Sequence, residues 1–154
     1  MKVRNLLTQQ DVARIDPGAT VLDAAHLMAK REVGAVLVGD DGATMGIFTE
    51  RDLMVRVIAA DLTPASVPVI DVMTKDLFTT HPDRTVAELR DEMRERHIRH
   101  CPVVEDDRVL MVLSIRDLNR AYIEEKQSEV KAMTAYIRGE ELEAIQDEIK
   151  RREG

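Results

Sequence analysis

Hydrophobic and polar positions follow the same order twice along this chain. When residues 81–118 are placed under residues 16–53, a constant offset of 65 residues keeps the apolar positions in phase without a gap. Both segments close on the same triplet, Arg-Asp-Leu, at residues 51–53 and 116–118. A repeat of this kind indicates one structural unit used twice. Because so small a unit buries little surface alone, we expect the two copies to pack against each other in one globule.

Each copy predicts the element order strand, helix, strand, strand, helix. A short extended piece leads to Thr20 or Thr85, where the hydroxyl and a carboxylate three residues later form a helix-capping box. An apolar strand, an acidic turn and a second strand follow the helix, and another helix begins at Thr49 or Ser114. Strands are expected at residues 13–15, 35–38 and 44–48 of the first copy and at residues 78–80, 101–104 and 109–113 of the second.

The fold class that follows is α+β. Two β-α-β-β-α repeats are expected to pack face to face, with a helical extension after them. Pro64 and Pro68 indicate a linker between the copies. The expected boundaries are residues 6–60 for the first repeat, 61–70 for the linker, 71–123 for the second repeat and 124–154 for the extension.

The extension has its own apolar pattern. Ile123, Val130 and Ile137 are seven residues apart, with Met133 between the last two, and this spacing predicts a short heptad seam. Gly139 is expected to interrupt the helix. A second amphipathic segment is expected at Leu142, Ile145 and Ile149. The seam either folds back on its own domain or associates with another chain; we favour association, most simply as a homodimer, because the repeats do not need the helix for their core.

Composition and charge narrow the classes of function. A net charge of −7 with 33% charged residues disfavours non-specific nucleic-acid binding, which needs a basic stripe. No run approaches the roughly 18 apolar residues of a membrane span, so no membrane association is expected. A single cysteine and the lack of an export leader favour the cytoplasm. With aromatics at 3%, a planar ligand would lie between aliphatic, proline or arginine side chains.

The residues that close each copy resemble a known family. Residues 46–52, Gly-Ile-Phe-Thr-Glu-Arg-Asp, are similar to the Ser/Thr-x-x-Asp signature of CBS domains (cystathionine-β-synthase-type repeats), and residues 111–117 repeat it. Met73-Thr74 and residues 97–104 are also similar to the family. The resemblance covers about residues 6–123.

This resemblance implies a regulatory role. Tandem CBS repeats pack as a pseudo-twofold pair in a disc-like unit, the Bateman module, with two equivalent clefts that commonly bind AMP, ADP or ATP. Some members bind S-adenosylmethionine or NAD-type dinucleotides, and others bind nothing detectable. The implied function is sensing of an adenine nucleotide, with no required cofactor and no catalysis. The output would pass to an unidentified effector protein or through self-assembly.

The signature residues suit such a ligand chemically. A helix that opens at Thr49 presents backbone N–H groups to a phosphate. The Asp52 carboxylate can accept from both hydroxyls of a ribose diol. Arg51 and Arg99 could bind phosphate, with His100 as a further donor. Ile47 and Pro102 would give flat apolar walls for adenine.

In the family, the signature of one repeat faces the early strands of the other, so the resemblance implies two residue sets. The first cleft is expected to be the main site, because Gly46 leaves room for a ligand where its counterpart Met111 could fill the second. The first cleft would combine Ile47, Thr49, Arg51, Asp52, Thr80, Arg99, His100 and Pro102. The second and weaker cleft would combine Ile15, Gly34, Ala35, Val112, Ser114, Arg116 and Asp117.

Other interpretations of the same residues stay open. Both Ser/Thr-x-x-Asp motifs are ordinary helix caps, and capping alone would explain them. His100 and Cys101 are adjacent in a strand and point to opposite faces, so no metal site is expected. Cys101 is expected in the core. Without a Ser-His-Asp, Walker or Rossmann pattern, an enzyme is disfavoured. The main alternative is a ligand-free scaffold that dimerises through the terminal helix.

Overall fold

The computed structural model describes residues 1–8, 11–40 and 42–153, with side chains described as far as residue 139. Two repeats follow each other in the order that the sequence predicts. The first contains β1 (Arg14–Ile15), α1 (Val21–Arg31), β2 (Ala35–Asp40), β3 (Ala43–Thr49) and α2 (Glu50–Asp52), which continues as a π-helix over Leu53–Ile58. A short helix, α3 (Val69–Val72), precedes the second repeat, which contains α4 (Val86–Glu95), β4 (His100–Glu105), β5 (Arg108–Ser114) and α5 (Ile115–Glu153). Single 3-10 turns lie at Val3–Leu6 and Pro64–Ser66.

The sheets are built on one hairpin per repeat. β2 pairs with β3, and β4 pairs with β5, both antiparallel. Each hairpin has a register shift, after Val38 in one and after Val103 in the other, which is the same place at the offset of 65 residues. β1 adds to β2 in parallel, whereas the strand expected at residues 78–80 is reduced to a single bridge from Thr80.

The helix caps repeat as closely as the strands. Thr20 accepts from the Asp23 N–H at 3.1 Å, and Thr85 accepts from the Glu88 N–H at 3.2 Å, with the carboxylate returning a bond in each case. Both predicted capping boxes are therefore confirmed. Glu32 and His97, again 65 residues apart, follow the two helices in the left-handed conformation (φ 54° and 55°). The same capping box at the start and the same left-handed residue after the end delimit both helices.

Each repeat has its own aliphatic core, and the two cores meet in a third cluster. The cores centre on Phe48 in the first repeat and Leu113 in the second, and both are fully or almost fully buried. Ala35, Leu37 and Ile47 form the third cluster, which also receives Val109 and Val112 of the second repeat. The predicted face-to-face pairing of the repeats is confirmed, and it places β2, β3 and β5 at the junction.

Each repeat is also clamped by a chain segment that precedes its partner. The leader at residues 2–3 bridges Thr85, and Val3 lies in the second repeat's core. Pro68, just before α3, bridges Thr20 in the equivalent way. The crossed leaders tie the two halves together through backbone hydrogen bonds.

Helix α5 is longer and more regular than expected. It continues through Gly139 to Glu153, so the expected interruption at Gly139 is wrong. A helical glycine costs only about 1 kcal/mol relative to alanine, and strong helix formers on both sides outweigh it. The second amphipathic segment expected at Leu142, Ile145 and Ile149 lies outside the residues whose side chains are described. Within the described part of the chain, no helix is both long enough and apolar enough to cross a bilayer.

Candidate functional site

A cavity of about 960 Å³ lies between the repeats. Its second-repeat wall comes from β5 and the start of α5, and its first-repeat wall comes from α1, the chain before β1 and the entrance to β2. Both polar and aliphatic side chains face it. The lining residues are Asp11, Val12, Ala13, Ala25, Met28, Ala29, Glu32, Val33, Gly34, Ala35, Glu50, Leu53, Arg99, His100, Met111, Val112, Ser114, Ile115, Arg116 and Asp117.

The second signature aspartate, Asp117, is open to this cavity. Its Oδ2 accepts from the Ser114 backbone N–H at 3.1 Å and from the Ser114 hydroxyl at 2.6 Å, as a helix cap does. Its Oδ1 accepts only from the exposed Arg120 side chain, at 2.9 Å, among the described residues. The side chain of Asp117 is 39% exposed. One carboxylate oxygen therefore holds the helix start while the other can exchange a surface partner for a ligand.

The first signature aspartate, Asp52, has the same cap but is enclosed. Its Oδ2 accepts from the Thr49 N–H and hydroxyl at 2.9 and 2.8 Å. Its Oδ1 accepts from the Thr74 hydroxyl at 3.3 Å and lies 3.4 Å from Arg56 Nε. The side chain is only 10% exposed. The protein's own groups thus occupy both carboxylate oxygens.

A backbone approach at Gly46 explains this enclosure. Ile47 and Thr74 exchange two backbone hydrogen bonds, at 2.9 and 2.8 Å, which lay the segment before repeat 2 along β3. A Cβ on Gly46 would lie 2.7 Å from the Thr74 carbonyl oxygen, so only glycine permits this contact. Arg56 donates to the Val72 and Met73 carbonyls, at 2.9 Å each, and fixes the segment.

The second repeat carries Met111 at the position of Gly46, and no corresponding bridge forms there between Val112 and any part of the described leader. We expected Gly46 to admit a ligand and Met111 to fill the other cleft. The structure shows the reverse arrangement of space: Thr74 takes the room beside Gly46, and Met111 lies in the wall of an open cavity.

Arg99 and His100 lie with the second set of predicted residues. Both line the large cavity, beside Gly34. A Cβ on Gly34 would lie 2.9 Å from His100 Nε2 and 3.1 Å from a Glu50 carboxylate oxygen, so the glycine makes room for these two side chains. Burial lowers the pKa of His100, with the negative charge of Glu50 opposing the shift. His100 Nδ1 is buried without a hydrogen-bond partner among the described residues.

The other predicted residues divide between cavity and core. Gly34, Ala35, Val112, Ser114, Arg116 and Asp117 all line the large cavity, whereas Ile15 packs on the first repeat's core. Thr80 and Pro102 are buried at the bridge beside β4, Ile47 lies in the cluster between repeats, and Thr49 caps α2. Arg51 lines a separate, smaller pocket. The structure therefore gathers six members of the second set and splits the first.

Sequence reasoning missed the wall formed by α1. Ala25, Met28 and Ala29 face the cavity, and the two alanines give it depth. The alignment of the two copies could have indicated this wall. The second copy has the large residues Arg90 and Arg94 at the positions of Ala25 and Ala29, so the first copy leaves more space there.

Cys101 is a core residue, as predicted. It is fully buried, and burial raises its pKa to about 12, so the thiol stays protonated and unreactive at neutral pH. Across residues with described side chains, no three His, Cys, Asp or Glu side chains lie together in a way that would hold a metal ion.

Comparison with known proteins places this geometry in a family. The family model described as CBS domain matches the chain twice, over residues 3–59 and 69–124. The mitochondrial CBS domain-containing protein CBSX3 of Arabidopsis thaliana is 36% identical over 125 residues, or 78% of this chain, and the chain spans only 61% of that protein's length.

Solved structures show the same architecture. The CBS-domain containing protein ATU1752 from Agrobacterium tumefaciens has a TM-score of 0.74 at 33% identity, covering 79% of this chain and 99% of that one. The CBS domain protein PAE2072 from Pyrobaculum aerophilum, solved in complex with AMP, has a TM-score of 0.67 at 26% identity, covering 76% of this chain and 89% of that one.

Gly46→Ala tests the backbone approach. The new Cβ would meet the Thr74 carbonyl oxygen and Met73 Sδ at 2.7 and 2.6 Å, so we expect the free energy of unfolding to fall by about 1–3 kcal/mol. Gly42→Ala, in a hairpin turn with nothing within 4 Å of its Cβ position, is the matched control and should change stability by less than about 0.5 kcal/mol. Urea denaturation measures both; equal stability of the two variants would contradict the closure.

His100→Asn tests the buried imidazole. Because burial lowers the pKa of His100 in the folded protein, the unfolded chain, with a pKa near 6.5, binds the proton more readily. This contribution to stability is complete above pH 6.5 and is lost as the pH falls below it. We expect the wild type to lose more stability than the variant between pH 7.5 and 5.5, measured by urea denaturation. His26→Asn controls for loss of an exposed histidine. Parallel losses in wild type and His100→Asn would refute the burial effect.

Proposed function

Because this chain belongs to the CBS domain family, we propose that it is a non-catalytic regulatory module that binds an adenine nucleotide (AMP, ADP or ATP) in the cavity between its repeats. One observation carries the proposal: Asp117, a signature aspartate with a solvent-facing carboxylate oxygen, lines a cavity of about 960 Å³ that both repeats enclose. This volume lies within the range of about 300–1,000 Å³ that is typical of small-molecule sites.

The lining supplies each group that a nucleotide needs. Ala35 and Val112 are aliphatic side chains from opposite repeats that pack in one cluster, and together they can form an apolar wall for adenine. Asp117 Oδ1 can accept from the ribose hydroxyls in place of Arg120. Arg99 and Arg116 can form charge-assisted hydrogen bonds with phosphate.

We place the nucleotide at the Asp117 set rather than at the Asp52 set. Displacing the partners of Asp52 would break its bond to Thr74 and uncover Arg56, which also holds two backbone carbonyls. Among the described residues, Asp117 Oδ1 would give up one exposed partner, Arg120. The AMP complex of the Pyrobaculum aerophilum relative supports an adenosine ligand, since that protein shares the fold and the family.

The position of the cavity suggests how a ligand would be sensed. α5 begins at Ile115, two residues before Asp117, and runs for 39 residues. A ligand held between Asp117 and the α1 wall would bridge the repeats and favour the arrangement in which both walls are in contact with it. The start of α5 would follow that arrangement, and the rest of the helix would present it to an effector protein, in the cytoplasm as we propose.

Calorimetry with paired aspartate variants tests the site. AMP, ADP, ATP, NAD and S-adenosylmethionine should be titrated into wild type, Asp117→Asn and Asp52→Asn. Loss of a charge-assisted bond at the ribose should weaken the preferred ligand about tenfold or more in Asp117→Asn. Asp52→Asn removes the matching carboxylate of the other repeat and should leave the affinity within about threefold.

Circular dichroism would confirm that both variants fold. Full affinity in Asp117→Asn, combined with a large loss of affinity in Asp52→Asn, would contradict this assignment and indicate that the nucleotide binds in the cleft of Asp52. Failure of all five ligands to bind the wild type would refute the nucleotide assignment and leave the scaffold function below.

A second candidate function is dimerisation through α5. Over the part of this helix whose side chains are described, which ends at residue 139, five large apolar side chains are half or more exposed, and such an exposed apolar set is typical of an interaction surface. Three of them keep the spacing of seven residues. The five side chains are those of Ile123, Val130, Met133, Tyr136 and Ile137, with exposed fractions of 54, 65, 68, 68 and 50%. We propose a homodimer in which two copies of this seam pack together.

Val130→Glu tests the seam in the full-length chain. A buried glutamate at the centre of a dimer contact should shift the protein to monomer, as should truncation after Tyr122. Ser128→Glu introduces the same charge away from the seam and should leave the oligomer intact. Light scattering after gel filtration measures the mass; a mass that Val130→Glu leaves unaltered would contradict packing through this face.

A further inference from the structure

A second, smaller pocket of about 460 Å³ lies between the two repeats, on the side of α4. Its walls come from α2, from α4 and the turn after it, and from the first turns of α5. The lining residues are Arg51, Arg90, Met93, Arg94, His97, Ile98, Arg99, Ile115 and Asn119. No described lining residue is acidic, although the whole chain has a net charge of −7.

The internal repeat shows what this pocket is. At the offset of 65 residues, every lining residue except Asn119 falls on a residue that lines the large cavity, with Arg51 in the place of Arg116. The small residues there become cationic here. Ala25, Ala29 and Gly34 of the large cavity correspond to Arg90, Arg94 and Arg99 of the small pocket, and Glu32 corresponds to His97.

The pocket cannot hold a nucleoside in the same way as the large cavity. Asp52, the counterpart of the ribose-facing Asp117, does not line it, because Thr49, Thr74 and Arg56 enclose that carboxylate. The volume is also about half that of the large cavity. What remains is a cationic pocket in a cleft whose signature aspartate is enclosed.

Several of the cations are available for a ligand. Arg90 is already paired, since its Nε and a terminal nitrogen donate to Asp91 at 3.1 and 2.7 Å and its guanidinium lies 3.6 Å above the Tyr122 ring. Within residues 1–8, 11–40 and 42–139, the guanidinium groups of Arg51, Arg94 and Arg99 make no hydrogen bond or ion pair. Three unpaired guanidinium groups around one concave site favour an anion.

We propose that this pocket is a phosphate-binding site, separate from the ribose-binding cavity. Guanidinium groups bind phosphate oxygens with two parallel hydrogen bonds, and three of them around one pocket suit a diphosphate better than a single charge. The phosphate belongs either to the tail of a nucleotide in the large cavity or to a second phosphorylated molecule. Arg99 lines both spaces, so the two sites share one cation.

Pyrophosphate titration of the full-length protein tests the pocket. We expect pyrophosphate to bind the wild type and to bind Arg51→Gln and Arg94→Gln about fivefold or more weakly, because each variant removes a charged hydrogen-bond donor. Neither residue lines the large cavity, so adenosine affinity should not change. Arg108→Gln, on an exposed arginine of β5 that lines neither space, is the matched control and should bind pyrophosphate as the wild type does.

Competition with nucleotides identifies the source of the phosphate. If a nucleotide tail fills the pocket, ATP will displace pyrophosphate, and Arg94→Gln will reduce the preference for ATP over AMP. If the phosphate comes from a second molecule, ATP and pyrophosphate will bind together. Either result supports the site. No pyrophosphate binding to the wild type, or equal binding to Arg94→Gln, would overturn it, whereas a failure of adenosine to bind would affect only the nucleotide assignment.

Discussion

The two backbone hydrogen bonds between Ile47 and Thr74 make the two clefts different, because they close the cleft of Asp52. They form only because Gly46 has no side chain, and they bring the Thr74 hydroxyl onto Asp52. The bonds close one cleft from the inside and commit its aspartate to structure. The second repeat has Met111 at the position of Gly46, no equivalent bridge forms among the described residues, and the second signature aspartate stays available. A nearly symmetrical fold thereby acquires two unlike sites.

The helices that line the two clefts differ as well. Where the first repeat offers Ala25 and Ala29 to the large cavity, the second offers Arg90 and Arg94 to the small pocket. Small residues create depth for a ring system, and arginines reduce the space while adding charge. Side chains on the helix of the opposite repeat thus contribute to the shape and charge of each cleft, whereas the hairpins and the helix caps of the two repeats are alike.

Much of the fold could be predicted from the sequence because local patterns and the repeat agree. Thr20 and Thr85 cap their helices as predicted, and the apolar strands form the expected hairpins. Two features depended on longer-range effects. The sequence predicts room for a ligand beside Gly46, but tertiary packing fills that room with Thr74. The sequence also predicts an interruption of the helix at Gly139, but the helix-forming neighbours outweigh the cost of one glycine. The sequence predicts part of the cavity lining. How the predicted residues divide between the two clefts depends on tertiary packing, which the sequence pattern does not show.

In the function that we propose, one cleft is open to adenosine and the chain itself closes the other. The number of adenosine molecules bound per chain at saturation, measured by equilibrium dialysis with labelled adenosine, tests this most directly, because adenosine carries no phosphate to engage the arginines. We predict one molecule per chain. Two molecules per chain would show that the Asp52 cleft also accepts a nucleoside and would contradict the account.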